Sequence, residues 1–312
     1  MSPSADTTLG EALAAARAAG VERLDALALL GALLQRPRSW LMAHDEAPLG
    51  AAAPAWAAQL ARRAAGEPLA YLLGCKDFHG LELAVDSAVL VPRPDTETLV
   101  DWALDLLPPE AAWRVADLGT GSGAIALAVA AARPAARLVA VDASAAALAV
   151  ASANAQRLGL DREARGADGP EAASSLPRFE ARLGDWWLPL AGERFELLLS
   201  NPPYIAEGDP HLAALHHEPA MALASGPDGL DAIRQISAGA AAHLQAGGWL
   251  LLEHGWDQAD AVAALLRAAG FEAVQHRQDL AGHRRCTGGR RPGGLAPRGD
   301  TPDSTFFSRG KP

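Results

Sequence analysis

Apolar positions over roughly the first 70 residues repeat with a helical period. Thr8-Leu9-Gly10-Glu11 has the form of a capping box, and Leu9, Leu13 and Ala16 follow at helical spacing. A second apolar helix is predicted over 23–35, stopped by Pro37, and a third from Pro54, in its first turn, to about Gly66. Helices with no strand between them predict a small bundle, whose default role is packing or partner recognition. Between 81 and 91 the pattern shifts to alternation, as in an extended hairpin or linker, and a helix follows over 98–107. Beyond Pro108-Pro109 come a strand at 114–118, a helix at 124–132, a strand at 137–141 and a helix at 144–158. Further strands are predicted at 179–183, 195–200, 248–253 and 273–277, with a helix at 257–269. This alternation predicts an α/β fold, a doubly wound parallel sheet covered by helices on both faces. The stretch 161–177, rich in Gly, Ala, Ser and Pro, reads as a surface loop, and the sequence beyond Arg291 as a flexible tail. No internal repeat is evident.

With 312 residues, half of them hydrophobic, the chain suits one sizeable core and a smaller module. The expected division is a helical domain at 1–80, a hairpin or linker at 81–110, an α/β domain at 111–291 and a tail at 292–312. A net charge of −10 argues against broad nucleic-acid binding, which relies on a basic footprint. The arginines between Arg284 and Arg298 accordingly read as a solvated, poorly ordered tail rather than a nucleic-acid arm. Cys75 and Cys286 show neither metal-ligand spacing nor a disulfide framework, so reduced thiols in the cytoplasm are the expectation. Residues 1–6 lack the features of a signal peptide, and no apolar run approaches about 18 residues, so no membrane span is expected. His254 and the pair His216-His217 lack a third ligand at suitable spacing; they read as structural or surface histidines, and no metal is expected.

Chemistry concentrates at two predicted strand ends. The run Phe195-Glu196-Leu197-Leu198-Leu199-Ser200 leads into Asn201-Pro202-Pro203-Tyr204. Two prolines cannot donate to a sheet ladder and they fix their own torsions, so the strand stops in a stiff turn. An amide side chain, carbonyls without competing partners and an aromatic ring then share one patch, which suits a planar amine or amide. Standing alone, the turn reads as an ordinary proline-terminated strand. The other end is Val115-Ala116-Asp117-Leu118-Gly119-Thr120-Gly121-Ser122-Gly123, a glycine turn between a strand and a helix. Asp142 ends the next strand, where a carboxylate can bind both hydroxyls of a ribose. Gly119-x-Gly121-x-x-Ala124 also satisfies a relaxed dinucleotide fingerprint, so this half fixes a nucleoside-containing ligand and not which one. Hydride transfer has no obvious use for an Asn-Pro-Pro-Tyr turn, whereas methyl transfer to an amide or exocyclic amine does.

The glycine turn with Asp142 resembles the class I S-adenosylmethionine-dependent methyltransferases, and Asn201-Pro202-Pro203-Tyr204 resembles their N-methylating branch. Val91-Pro92-Arg93-Pro94-Asp95-Thr96-Glu97, Asp185-Trp186 and Leu251-Leu252-Glu253-His254-Gly255-Trp256 narrow the resemblance. They point to the peptide chain release factor glutamine N5-methyltransferase family (the PrmC/HemK type), over about 66–291. The resemblance implies a mostly parallel seven-stranded sheet, S-adenosyl-L-methionine as cofactor, and methylation of the glutamine in the Gly-Gly-Gln loop of release factors 1 and 2. It implies that Gly119, Thr120, Gly121, Ser122 and Gly123 line the methionine and ribose part of the cofactor. Asp142 would hold the ribose hydroxyls, and Trp186 would pack near the adenine with Asp185 beside it. Asn201 would meet both cofactor and substrate amide, with Pro202, Pro203 and Tyr204 completing the catalytic slot. Residues 93–97 resemble a loop that closes over the active site, and a monomer is expected.

Three alternatives stay open: a ribosomal-protein glutamine as acceptor, a DNA adenine N6-methyltransferase, and a non-enzymatic cofactor-sensing module. The acidic charge and the lack of a basic, aromatic-bearing recognition region disfavour DNA. Two intact halves of a reactive site disfavour the sensor. The sequence departs from the family in a longer 161–177 loop, an extra tail, and His216-His217-Glu218-Pro219 where a more aromatic or basic run is expected.

Overall fold

The computed structural model describes residues 4–161 and 178–293. The surface loop expected at 161–177 and the tail expected at 292–312 lie, but for their first residues, outside these. The predicted capping box opens α1 (Leu9–Ala18): the Thr8 hydroxyl accepts from the Glu11 N–H at 3.3 Å, and the Glu11 carboxylate accepts from the Thr8 N–H at 2.8 Å. α2 (Arg23–Leu34), α3 (Arg38–Ala43), α4 (Ala53–Ala64) and α5 (Leu69–Leu73) follow, burying Leu9, Leu27, Leu30, Leu41, Trp56 and Leu72 in a core of their own. α3 and α5 escape the periodicity because each is too short to complete two turns.

A hairpin of β1 (Cys75–Phe78) and β2 (Leu81–Ala84) begins inside the stretch expected to be helical. It leads through 85–93 and a tight turn at Pro94–Thr96 into α6 (Glu97–Leu106). The main sheet is then built from β3 (Arg114–Leu118), β4 (Arg137–Asp142), β5 (Phe179–Leu183), β6 (Phe195–Ser200), β7 (Leu244–Glu253), β8 (Glu272–Gln278) and β9 (Arg284–Arg290). The intervening helices are α7 (Ala124–Ala132), α8 (Ala145–Arg157), α9 (Asp231–His243) and α10 (Ala259–Ala268). The seven strands run in the order β5-β4-β3-β6-β7-β9-β8. Pairs from β5 to β7 are parallel, and β9 is antiparallel to both of its neighbours. Successive residues of a strand face opposite sides. Val115, Leu197 and Leu251 therefore pack under α6 and α7, while Ala116, Leu198 and Leu250 pack under α9 and α10.

The arginine-rich stretch starting at Arg284 corrects the expectation of a solvated tail. Arg284–Arg290 is a strand inserted between β7 and β8, and its arginines are paired: Arg284 with Asp260, Arg285 with Asp279 and Asp95, Arg290 with Glu272. The middle of β9 is glycine because nothing larger fits. A Cβ on Gly288 would lie 2.4 Å from Leu251 Cδ2 and 2.7 Å from Trp102. Gly288→Ala is therefore expected to cost about 1–3 kcal/mol by overpacking, seen as a lower urea midpoint at unchanged slope. No described helix is long and apolar enough to cross a membrane.

The chain leaves β3 towards β4 and β5 on one side and returns to β6 and β7 on the other. Strand order thus reverses between β3 and β6, and a crevice opens at their carboxyl ends, where ligands bind in sheets of this kind. A hydrogen bond from the Ser200 hydroxyl to the Leu118 carbonyl, 2.6 Å, ties the two strand ends together.

Candidate active site

A partly open cleft, lined by residues from both strand ends, occupies that crevice. Gly119, Thr120, Gly121, Ser122, Asp142 and Trp186 line one half, and Asn201 and Pro203 the other.

The glycine turn is built by backbone bonds across the sheet. The N–H groups of Gly119 and Thr120 both donate to the Val141 carbonyl, at 2.8 and 3.0 Å. Gly121 has φ +56°, and the position a Cβ would take there is open space, so its bare backbone faces the cleft. Asp142 holds the turn from the next strand. One carboxylate oxygen accepts the Gly121 N–H at 2.9 Å and the other the Ser144 N–H at 2.8 Å. An ionised carboxylate offers about four acceptor positions, so two remain for hydroxyls in the cleft. Trp186 closes this half: a Cβ on Gly119 would sit 3.5 Å from the indole, so the ring lies against the turn. Bare backbone, free carboxylate positions and an aromatic wall fit the nucleoside and amino-acid portions of S-adenosyl-L-methionine.

Three expected site residues are placed differently. Gly123 lies behind the turn, where a Cβ would meet Leu127 at 2.9 Å and Ala151 at 3.3 Å. Its lack of a side chain serves the close packing of α7 on α8. Tyr204 does not line the cleft: its ring packs on the core beneath α9 and α10, and its hydroxyl is directed to Glu253, 3.5 Å away. Pro202 is also buried and is not among the residues that line the cleft.

Asn201 stands at the end of β6. Its side-chain nitrogen donates to the Thr96 hydroxyl at 3.1 Å, which leaves its carbonyl oxygen for a ligand. Among the described residues no donor is bonded to the Pro202 carbonyl. Successive residues thus carry two unpartnered acceptors, the number that a primary amide with two hydrogens requires.

Within 93–97, Arg93 and Thr96 line this cleft, and the stretch is tied to its surroundings by ion pairs and a hydrogen bond. Arg93 pairs with the buried Glu218, which also accepts the Val91 N–H at 3.1 Å. Asp95 pairs with Arg285 at 3.2 Å, and Glu97 accepts the His79 N–H at 2.8 Å. The unexpected run around His216-His217 thereby supplies the acid that clamps Arg93, while His217 Nε2 lies 3.2 Å from the Ala65 carbonyl of the helical module. His254 is buried between the Gly255 carbonyl (2.8 Å) and the Thr287 hydroxyl (2.6 Å), and burial lowers its pKa to about 4. It is a neutral, fully bonded core residue.

Sequence reasoning assigned no role to three buried groups. Asp117 takes the Thr120 hydroxyl at 2.6 Å and so pins the turn from within; burial raises its pKa to about 7. Thr96, 4% exposed, accepts the Asn201 side-chain N–H. Glu253, at the end of β7, is 1% exposed, and burial raises its pKa to about 7. The signal for Glu253 and Asp117 was present: an acid inside an apolar strand that ends at the ligand-binding edge.

A family model described as the PrmC N-terminal domain matches residues 8–74, and one described as the methyltransferase small domain matches 97–226. The release factor glutamine methyltransferase of Xylella fastidiosa (strain Temecula1) is 50% identical over 288 residues, covering 90% of this chain and 98% of that protein. That of Bordetella pertussis is 50% identical over 274 residues, covering 86% and 95%. Among solved structures, the protein-(glutamine-N5) methyltransferase (release factor-specific) from Alicyclobacillus acidocaldarius is 29% identical, covering 65% of this chain and 94% of that one, with a TM-score of 0.38.

Proposed function

As this chain belongs to the release factor glutamine methyltransferase family, we propose that it methylates the side-chain nitrogen (N5) of the glutamine in the Gly-Gly-Gln motif of release factors 1 and 2, with S-adenosyl-L-methionine as donor. The observation that carries the reading is the Asn201 carboxamide: Asn201 lines the cleft, its nitrogen is taken by Thr96, and its oxygen is left as an acceptor for a ligand.

An amide nitrogen is a poor nucleophile because its lone pair is delocalised into the carbonyl. The cofactor, when bound, supplies an activated methyl group on a sulfonium. What remains for the protein is placement. Asn201 Oδ1 and the Pro202 carbonyl accept the two amide hydrogens and aim the nitrogen into the cofactor half of the cleft. Both bonds strengthen as positive charge develops on nitrogen. Orientation of this kind lowers a barrier by about 7–11 kcal/mol. A single polar group that meets developing charge adds roughly 3–4 kcal/mol. No strong base is needed before attack, since the proton can leave afterwards. Asp142 holds the ribose hydroxyls, Gly119 to Ser122 present backbone to the cofactor, and Trp186 covers it.

Incubation with methyl-labelled cofactor and separately purified release factors, ribosomal proteins and DNA tests this reading. Label is expected on the release factors alone, at the glutamine of Gly-Gly-Gln, and is lost when that glutamine is replaced. Label on a ribosomal protein or on DNA would refute the assignment.

A further inference from the structure

A carboxamide has two ends of nearly equal size, one accepting and one donating. Asn201 serves a substrate amide only with its oxygen turned into the cleft. The Thr96 hydroxyl, 3.1 Å from the Asn201 nitrogen, does not decide this by itself, because a hydroxyl can donate as well as accept. If its own hydrogen pointed at Asn201, the opposite orientation would be favoured. Some other group must take that hydrogen.

Resting on the reading of Asn201 as the acceptor residue, we propose that Glu253 is a positioning residue that acts through the Thr96 hydroxyl to keep the Asn201 oxygen facing the substrate. An ionised carboxylate is an acceptor only, so it claims the Thr96 hydrogen and leaves a hydroxyl lone pair for the Asn201 N–H. The geometry suits this one use. Glu253 alternates with Leu251 along β7 and so faces α6, whose entry turn carries Thr96. It is 1% exposed; one oxygen faces the Tyr204 hydroxyl at 3.5 Å, and Oε2, bonded to no other group, is the acceptor open to the Thr96 hydroxyl. An acid so placed is costly to bury and is not spent on a salt bridge. Arg285 on β9, the cation whose charge reaches Glu253, is paired with Asp95 and Asp279. The stiff Asn-Pro-Pro-Tyr turn is thus gripped twice from β7, at Asn201 through Thr96 and directly at Tyr204.

The same arrangement makes orientation respond to pH. Burial pushes the carboxyl up to about 7; the neighbouring Thr96 and Tyr204 hydroxyls and the charge of Arg285 hold it down, and Asp95 pushes it up. Cys286 on β9 sits opposite Glu253 in the sheet register, with its thiol held neutral by burial. When Glu253 binds a proton, its O–H can donate to Thr96. The Thr96 hydrogen is then released towards Asn201, and the carboxamide is free to turn.

Single-turnover labelling of a release factor, from about pH 6 to about pH 9, tests the proposal. Turnover of the unaltered protein is expected to fall on the acid side with an apparent pKa about 7. Glu253→Gln is expected to lower turnover at alkaline pH about tenfold to a hundredfold, to abolish that acid limb, and to leave cofactor affinity and release-factor KM nearly unchanged. Thr96→Val should lose a similar amount, most of it restored by Thr96→Ser. Combining Glu253→Gln with Thr96→Val should cost little more than either alone, since both break one chain. Full turnover with an intact acid limb in Glu253→Gln, or a multiplicative loss in the double variant, would overturn the proposal. Should Glu253→Gln fail to fold, the acid limb of the unaltered protein and the Thr96 pair still decide. Absence of labelling by the unaltered protein at every pH would overturn the methyl-transfer reading, and this proposal with it.

Discussion

Asn201→Ala is expected to lower methyl transfer by about a hundredfold to a thousandfold while cofactor affinity changes by no more than a few-fold. Alanine removes one of the two free acceptors in the acceptor half of the cleft and leaves the other, the Pro202 carbonyl, in place. The substrate amide then keeps one bond and can pivot about it, so the nitrogen is no longer aimed. It also loses the acceptor that strengthens as positive charge develops. Structural damage should be small. Asn201 is only partly buried, and the variant strands a single partner, Thr96, which retains the Glu253 carboxylate beside it. Single-turnover labelling gives the rate, and calorimetric titration with the cofactor gives the affinity. Near-normal turnover would refute placement by Asn201. An equal loss in rate and in cofactor affinity would show instead that the whole cleft had collapsed.

Those parts of the molecule whose physics is local could be read before the fold was seen. Val115 to Leu118 and Phe195 to Ser200 are apolar because each strand is covered on both faces, and a run of that kind survives any rearrangement of its neighbours. The glycine turn and the proline turn are legible for a similar reason, since torsional demands are written into the residues themselves. β9 was not legible. Arg284 to Arg290 holds three arginines and two glycines, and it is a strand only because β7 and β8 satisfy its backbone on both sides. The small residues that Trp102 demands at Gly288 look, in sequence, like a loop. α9 carries Ile233, Ile236 and Ala240 on its buried face, a helical spacing that is local and legible in the sequence.

Site residues divide the same way. Asp142 and Asn201 follow from being the first polar groups after apolar strands. Thr96 and Glu253 gain their roles from each other across 157 positions of sequence, and no spacing rule connects them. Gly123 shows the converse: a glycine inside a binding motif has Leu127 and Ala151 as its neighbours. A motif marks a site, but it does not say which of its residues face inward.

Asp142→Ala is expected to weaken cofactor binding by roughly two to three orders of magnitude, measured by calorimetric titration. Two losses combine. The positions left for the ribose hydroxyls disappear, and a hydrogen bond to a charged acceptor contributes about 1.5–3 kcal/mol. The Gly121 and Ser144 N–H groups also lose their acceptor, so the glycine turn is released from β4 and need no longer hold its backbone towards the cleft. Asp142→Asn separates these contributions. Its single carbonyl oxygen can keep one of the two backbone bonds, and its amide can donate to a hydroxyl, so an intermediate loss of about tenfold is expected. Because Asn201 and Thr96 are anchored to β6, the tight turn before α6 and β7 rather than to β4, saturating cofactor should restore much of the rate in either variant. That rescue tells Asp142 from Asn201: one variant binds the donor poorly and still transfers, the other binds it well and does not. Unchanged affinity in Asp142→Ala would remove the ribose assignment and, with it, the nucleoside reading of that half of the cleft.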